Sequence, residues 1–175
     1  MSSFPASVII PIAVAIAMHY LNKQSKKDAS FDADGNTLLL LPAFYGILGL
    51  AATGLGFGLL LFGLFDFKSE DIAAFFGLFL LFAGLGTPLI LYRYVYKVVV
   101  TPQGLVERTI FGKSKSINWS AINTVKYNAM MMKLTVSDGI TTLSCYAHLV
   151  GFNNLTQALE MHLKKTRAEM GIPVL

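Results

Sequence analysis

The sequence predicts an α+β membrane protein in which apolar helices precede a polar domain of antiparallel strands and one C-terminal helix. Of its 175 residues, 54% are hydrophobic and only 14% are charged, whereas soluble chains carry about 25% charged residues. Residues 38–65 and 72–92 contain no charged side chain. From residue 94 the hydrophobic pattern alternates with the period of a strand. This composition excludes a soluble single-core enzyme, a disordered tail and a secreted disulfide scaffold.

The two uncharged stretches predict a transmembrane helical hairpin over residues 38–92. Each is long enough to cross the hydrocarbon core, which takes about 20 helical residues, and the connection between them is too short for anything but a tight turn. Small residues spaced four apart let helix backbones approach each other in lipid. The residues with this spacing, which are predicted to pack the two helices together, are Gly54, Gly58, Ala73 and Gly77.

The apolar N-terminal segment has more than one interpretation. Residues 4–21 are uncharged and fit a short first span, a helix lying in the membrane interface, or a signal peptide. A signal peptide carries its positive charge before the apolar run, whereas here three lysines follow it. Residues 8–17 lack the polar face of an interfacial helix. The sequence therefore favours an N-terminal helix within residues 1–21 that is a short span or interfacial, followed by a polar linker at 22–37.

Basic residues on one side of the spans predict the orientation of the chain. Three lysines lie within residues 23–27, and Arg93 and Lys97 follow the last span. Cytoplasmic segments near span ends carry such an excess of lysine and arginine. We therefore expect residues 22–37 and the domain at 93–175 in the cytoplasm, with the hairpin loop outside, in a multi-pass protein of the cytoplasmic membrane.

Alternating residues and turn signals predict six strands in the polar domain. They are residues 95–101, 105–111, 113–118, 122–128, 131–137 and 140–147. A helical stripe follows, starting near Asn153 or Asn154 and ending at Gly171. We expect this helix to close the open end of a curved sheet, with the Trp119 indole N–H bonded to a backbone carbonyl. The predicted core residues are Ile117, Trp119, Ile122, Leu155, Leu159 and Leu163.

Several short motifs in this domain carry a family resemblance. Val100-Thr101-Pro102-Gln103-Gly104-Leu105, then Gly112 after a strand, then Ile117-Asn118-Trp119-Ser120-Ala121-Ile122, then the hairpin from Leu134 to Gly139, follow one another in order. With the preceding hairpin, residues 94–170 resemble the bacterial membrane-anchored pleckstrin-homology-like domains. The resemblance implies a barrel-like sheet closed by one helix, in a prokaryotic inner-membrane protein. That fold usually has seven strands, so a seventh is expected near residues 146–150 unless the barrel is incomplete.

The sequence shows no set of residues that would carry a reaction. Cys145 and His148 are three apart, and two ligands do not make a zinc site. Asp32, Asp34 and Asn36 begin like a calcium loop, but the glycine and glutamate that such a loop needs are missing. We therefore expect neither an enzyme nor a cofactor or metal.

Binding remains as the predicted function. Residues 93–175 hold ten basic and four acidic side chains, a net charge of +6, which suits anionic lipid headgroups or an acidic protein. The candidate contact residues are Lys113, Lys115, Lys126 and Lys133. The sequence predicts a scaffold module for a membrane protein partner or anionic lipid, as a monomer or a homo-oligomer, and no nucleic-acid binding. The alternative is an immunity protein or a dedicated accessory subunit that binds one membrane-acting protein.

Overall fold

The structure, a computed structural model, describes residues 26–66 and 69–173 together with Pro11, Ala15, His19, Tyr20, Lys23 and Gln24. Most of the predicted N-terminal helix, residues 1–21, therefore lies outside the described residues. The chain is α+β, with two long apolar helices, two antiparallel sheets and a C-terminal helix.

The elements are numbered here in chain order. The strands are β1 Ser30–Phe31, β2 Thr37–Leu39, β3 Lys97–Val100, β4 Gly104–Arg108, β5 Ser114–Asn118, β6 Thr124–Asn128, β7 Lys133–Ser137 and β8 Thr142–Tyr146. The helices are α1 Ala43–Asp66, α2 Ser69–Tyr94 and α3 Phe152–Leu163, with a short 3-10 helix at Trp119–Ala121. All six strands predicted for the polar domain are present, each shorter than predicted because the turns take the flanking residues.

The chain divides into two compact units. The helical unit contains Leu41–Lys97 and also Arg108–Ser114, which is the turn between β4 and β5 with its flanking residues. The sheet unit contains Val98–Glu107 and the described residues before Leu41 and after Ser114. The predicted boundary at residue 93 is thus a simplification, because the sheet unit draws strands from both sides of the helical pair.

The helical unit is built on a seam of small residues in α1. A methyl group at Gly49 would lie 2.8 Å from the Gly86 carbonyl oxygen, and one at Gly63 would lie 2.6 Å from the Phe75 ring. Gly56 also faces α2, where the Phe82 side chain is 3.2 Å from its Cβ position. The spacing of seven between these α1 glycines is that of a coiled-coil seam.

The glycines predicted to pack the hairpin point elsewhere. Gly54, Gly58 and Gly77 have no neighbour within 4 Å of a Cβ position, and Ala73 is exposed. The predicted packing residues were wrong, because the glycines that contact the other helix are not the ones spaced four apart. The helices instead approach each other along residues that alternate in spacing between three and four.

One sheet has five strands in the order β1-β2-β3-β4-β5. Its strands β1 and β2 precede the two long helices in sequence, and β3 to β5 follow them. Strand β2 pairs antiparallel with β3, with Leu38 opposite Val99. The helices α1 and α2 are therefore an insertion between two hydrogen-bonded strands. The predicted linker at 22–37 is corrected accordingly, because part of it forms β1, β2 and the turn between them.

The segment before α1 is tied to the sheet unit by backbone hydrogen bonds. The Val150 N–H donates to the Leu40 carbonyl oxygen at 2.9 Å, and the Gly151 N–H donates to the Lys27 carbonyl oxygen at 3.1 Å. Leu40 and Val150 form an isolated β-bridge. Residues 38–40 are thus extended, and α1 begins after Pro42, five residues later than the predicted span. A proline disfavours helix in the residue before it, which explains this start.

The second sheet contains β6, β7 and β8 in that order. The described strands form two separate sheets and not a closed barrel. Gly104 is needed where β4 meets β5, because a methyl group there would lie 2.8 Å from the Asn118 Cα. Gly112 and Gly139, with φ of 75° and 95°, occupy left-handed positions in the turns after β4 and β7.

The core of the sheet unit contains residues from both sheets and from α3. Leu105, Val136 and Leu155 are fully buried, and the other core side chains without exposure include Leu39, Val98, Leu134, Leu143, Leu149 and Leu159. Of the predicted core, Ile117 and Trp119 are also buried, whereas Ile122 and Leu163 are half-buried.

The C-terminal helix is shorter than predicted and differently capped. It ends at Leu163 because Lys164 adopts a left-handed conformation with φ of 53°. Gly151, with φ of 84°, takes the N-cap position predicted for Asn153 or Asn154. The Asn154 side-chain oxygen instead accepts a hydrogen bond from the Ala29 N–H at 3.3 Å.

Candidate functional site

The outer face of the β6-β7-β8 sheet is a regular array of polar side chains. Residues directly opposite each other in an antiparallel sheet share a face, so the register defines three rows across it. The rows are Thr124, Ser137 and Thr142; Lys126, Thr135 and Ser144; and Asn128, Lys133 and Tyr146. None of the nine is acidic. We call this array the polar face.

The structure brings two of the four predicted contact lysines together on the polar face. Lys126 lies opposite Thr135, and Lys133 lies opposite Asn128. The two lysines are therefore diagonal neighbours on adjacent strands, a relationship that separates positions by about 7–8 Å. Because their side chains share one surface, they can bind one anionic group together.

The other two predicted lysines have different surroundings. The Lys115 ammonium donates to the Thr142 carbonyl oxygen at 3.3 Å, so this charge lies at the open edge of β8. Lys113 belongs to the helical unit. The predicted four-lysine site is therefore reduced to a pair on the polar face, with one further lysine at its edge.

A buried carboxylate lies beside this edge and was not predicted as a site residue. Glu107 on β4 is 5% exposed, and its Oε2 accepts a hydrogen bond from the Ser144 N–H at 3.1 Å. Side chains, and not a backbone ladder, thus join β8 to the first sheet. The alternation of residues 105–111 could have indicated that Glu107 is buried, because it lies on the same side of its strand as buried Leu105.

Burial and neighbouring charges act on Glu107 in opposite directions. Burial raises its pKa above the ordinary 4.5, against the lowering by the Ser144 N–H and by the charges of Lys115 and Lys133. The carboxylate is hidden from solvent, whereas Lys115 and Lys126 are exposed. The charge that the polar face presents to a binding partner is therefore positive.

Trp119 contributes to the core and not to an exposed contact. Its indole N–H donates to the Thr101 carbonyl oxygen at 3.0 Å, the kind of partner predicted for it. One face of the indole is stacked against His162.

A cleft of about 310 Å³ is lined by Ile122 and Leu163 together with Lys165 and Glu169. Glu169 is engaged there, because its carboxylate accepts from the Thr166 N–H at 2.7 Å.

Cys145 is a buried core residue, and His148 is half-buried. Burial raises the pKa of the Cys145 thiol, and the charge of Glu107 adds to this effect. Burial lowers the pKa of His148 to about 4, and its ring stacks on Tyr146 with centroids 5.4 Å apart. In the part of the chain that the structure describes, no three side chains of the metal-binding types cluster.

In the acidic turn at residues 32–36, the Asp32 carboxylate accepts hydrogen bonds from the turn's own backbone. Asp32 Oδ1 accepts hydrogen bonds from the N–H groups of Asp34 and Asn36, at 3.0 and 2.8 Å. Gly35 in the same turn has φ of 77°. The arrangement is that of a closed β1–β2 turn.

Comparison of the chain with protein-family models, with curated proteins and with solved structures finds no match.

Proposed function

We propose that this protein is a non-enzymatic, membrane-anchored binding module. In this proposal α1 and α2 cross the cytoplasmic membrane as a hairpin, and the sheet unit lies in the cytoplasm. Its polar face binds an anionic surface, which is either anionic lipid or an acidic region of a membrane protein partner. The polar face carries the proposal, because it combines two neighbouring lysines with hydroxyl groups and no exposed acid.

The exposure of the two helices supports the membrane part of the proposal. Ala43–Phe65 and Ile72–Tyr94 each contain 23 residues, including an 18-residue window with a mean hydropathy of 2.1. A core helix of a soluble protein would be mostly buried, whereas only 17% and 6% of these windows are buried. Their apolar side chains, such as Phe65 at 85% exposure, therefore require an apolar solvent. A bilayer supplies it over this length.

Charge placement supports the proposed orientation. Arg93 lies in the last turn of α2 and Lys97 follows it, whereas Asp66, Glu70 and Asp71 surround the connection between the helices. Lysine and arginine near span ends favour the cytoplasmic side. A hairpin inserted between the paired strands β2 and β3 also requires both of its outer ends on one side of the membrane.

The proposed kind of domain is pleckstrin-homology-like. Two antiparallel sheets followed by an amphipathic helix agree with the resemblance found in residues 94–170. In this interpretation the strand expected to complete the fold is β2, which precedes the helices, and not a segment near 146–150. The sheet unit would then be one domain interrupted by its own membrane anchor.

Vesicle binding by the full-length protein tests the function. The chain is placed in nanodiscs of neutral lipid and mixed with vesicles of phosphatidylcholine, alone or with phosphatidylglycerol, at low and high salt. We expect salt-sensitive binding to the anionic vesicles that is lost in the Lys126→Gln/Lys133→Gln variant. The matched control is Lys164→Gln/Lys165→Gln, which removes the same charge outside the polar face.

Each result separates the possible partners. Equal loss in both double variants would mean that net charge and not the polar face is responsible. Absence of binding to anionic vesicles at low salt would remove the lipid as ligand. The protein partner would then be sought by cross-linking from the polar face in membranes, and a partner bound only through the helical hairpin would favour the accessory or immunity role.

A further inference from the structure

The turn between β4 and β5 presents an exposed aromatic side chain on a closed backbone. The Thr109 N–H donates to the Lys113 carbonyl oxygen at 2.8 Å, and the Gly112 N–H donates to the Thr109 carbonyl oxygen at 2.9 Å. Gly112 has φ of 75°, which lets the turn close. Phe111 at its tip is 82% exposed. Because the turn keeps this phenyl ring exposed, its apolar surface contacts water, which is unfavourable.

This turn belongs to the helical unit, which contains Arg108–Ser114. Thr101 and Gly104 exchange backbone hydrogen bonds at the preceding hairpin. Continuing that register along β3 and β4 places Arg108 opposite Lys97. Arg93 lies four residues before Lys97, in the last turn of α2. We call Arg93, Lys97, Arg108 and Lys113 the basic cluster.

The basic cluster forms no ion pair with an acid in the part of the chain that the structure describes. Like charges directly opposite each other on paired strands destabilise a sheet, yet Lys97 and Arg108 hold these positions. Among the described residues, the ion pair that forms joins Arg167 and Glu160, and both belong to the sheet unit. The acids of the helical unit surround the α1–α2 connection, and Asp71 is about 33 Å from Arg93 along the helix. The charges of the cluster are therefore available to an external anion.

Aromatic rings accompany these cations in the helical unit. The Arg93 guanidinium lies 5.8 Å from the centre of the Tyr94 ring, and Tyr94 is 66% exposed. Tyrosine is enriched where a helix leaves the hydrocarbon for the headgroups. Exposed aromatic rings with cations and no acid match the chemistry of an anionic bilayer surface.

We propose that the β4–β5 turn is a second, non-helical membrane contact. Phe111 enters the headgroup region of the cytoplasmic leaflet, and the basic cluster binds the phosphates of anionic lipids. The inference rests on the proposed function, because it requires that α1 and α2 span the membrane. It concerns residues of the helical unit and is independent of whether the polar face binds anything.

Depth-dependent quenching of a tryptophan at the turn tests this contact. Full-length Phe111→Trp is reconstituted in vesicles of phosphatidylcholine, alone or with phosphatidylglycerol, that contain lipids with a quencher near the headgroup. The control is the same variant in vesicles that lack the quencher lipids. Unsubstituted protein gives the emission of Trp119 for subtraction.

We expect a blue-shifted emission for Phe111→Trp that the quencher lipids reduce. Quenching should be stronger in anionic vesicles and should decrease when Arg108→Gln and Lys113→Gln are added. An emission from Phe111→Trp that the quencher lipids leave unchanged would overturn the contact. Equal quenching in neutral and anionic vesicles would overturn the role of the basic cluster.

Extraction of the same vesicles at alkaline pH separates this inference from the proposed function. If the unsubstituted chain leaves the membrane, the spanning helices and therefore the proposed function fail. If the chain stays and Phe111→Trp is unquenched, the turn contact alone fails.

Discussion

The imidazole of His162 lies parallel to the indole of Trp119, with ring centroids 4.3 Å apart and planes 7° apart. Trp119 is 7% exposed, and its indole N–H donates to the Thr101 carbonyl oxygen. His162 is itself exposed, so the histidine covers the tryptophan from the solvent side. The stack joins the C-terminal helix to the 3-10 helix that follows β5.

Replacing Trp119 tests whether this residue supports the sheet unit. Trp119→Ala should lower the free energy of unfolding by about 3–5 kcal/mol, because it removes a buried ring and leaves a cavity. His162→Ala should cost about 0.5–1.5 kcal/mol for the lost ring pair. The measurement is thermal unfolding of the full-length protein in detergent, with exposed Met161→Ala as the control. An unchanged transition in Trp119→Ala would make Trp119 a surface residue.

Adding one methyl group to a seam glycine tests the packing of the helical hairpin. At Gly86 the new Cβ would lie 2.6 Å from the backbone carbonyl oxygen of Gly49, so Gly86→Ala should cost about 1–3 kcal/mol by overpacking. Gly54→Ala is the matched control, because nothing lies within 4 Å of its Cβ position. The folded fraction is measured in increasing sodium dodecyl sulfate. A larger loss of folded protein in Gly54→Ala than in Gly86→Ala would show that the glycines spaced four apart pack the two helices.

The buried carboxyl of Glu107 should make stability depend on pH. Because burial raises its pKa above 4.5, the folded state binds this proton more tightly than the unfolded state. Its contribution to stability is therefore complete below pH 4.5 and is lost as the pH rises through the folded pKa. Glu107→Gln removes the charge and with it this part of the pH dependence.

Unfolding temperatures of wild type and Glu107→Gln, measured from below pH 4.5 to neutral pH, give the comparison. The wild type should lose stability relative to the variant as the pH rises, and the other carboxyl groups cancel in the difference. Glu107→Leu should cost about 1–3 kcal/mol, since it leaves the Ser144 N–H unpaired. A constant difference between wild type and Glu107→Gln across this range would contradict the account.

Much of the fold was predictable because each element has a local signal. The period of two, with turn signals between the runs, identified all six strands from β3 to β8. The long uncharged runs identified α1 and α2. The partner of Trp119 was predictable because a buried indole N–H needs a hydrogen-bond acceptor.

Features that depend on contacts distant in sequence were not predictable. Strands β1 and β2 contain two and three residues, too few for a period, and β2 exists because β3 pairs with it across the helical insertion. The apolar run Leu38–Leu41 continued into the predicted span, although Pro42 indicated a break. The polar face required the register of three strands, which no single strand pattern contains.

The membrane topology of the helical hairpin is the central claim and can be measured directly. Reporters that are active on only one side of the membrane are placed in the full-length chain after Leu175 and, separately, at Ser69, the first residue of α2. We expect a cytoplasmic signal after Leu175 and an external signal at Ser69. Two cytoplasmic signals would show that α1 and α2 do not cross the membrane, and the reverse pattern would place the polar face and the basic cluster on the wrong side.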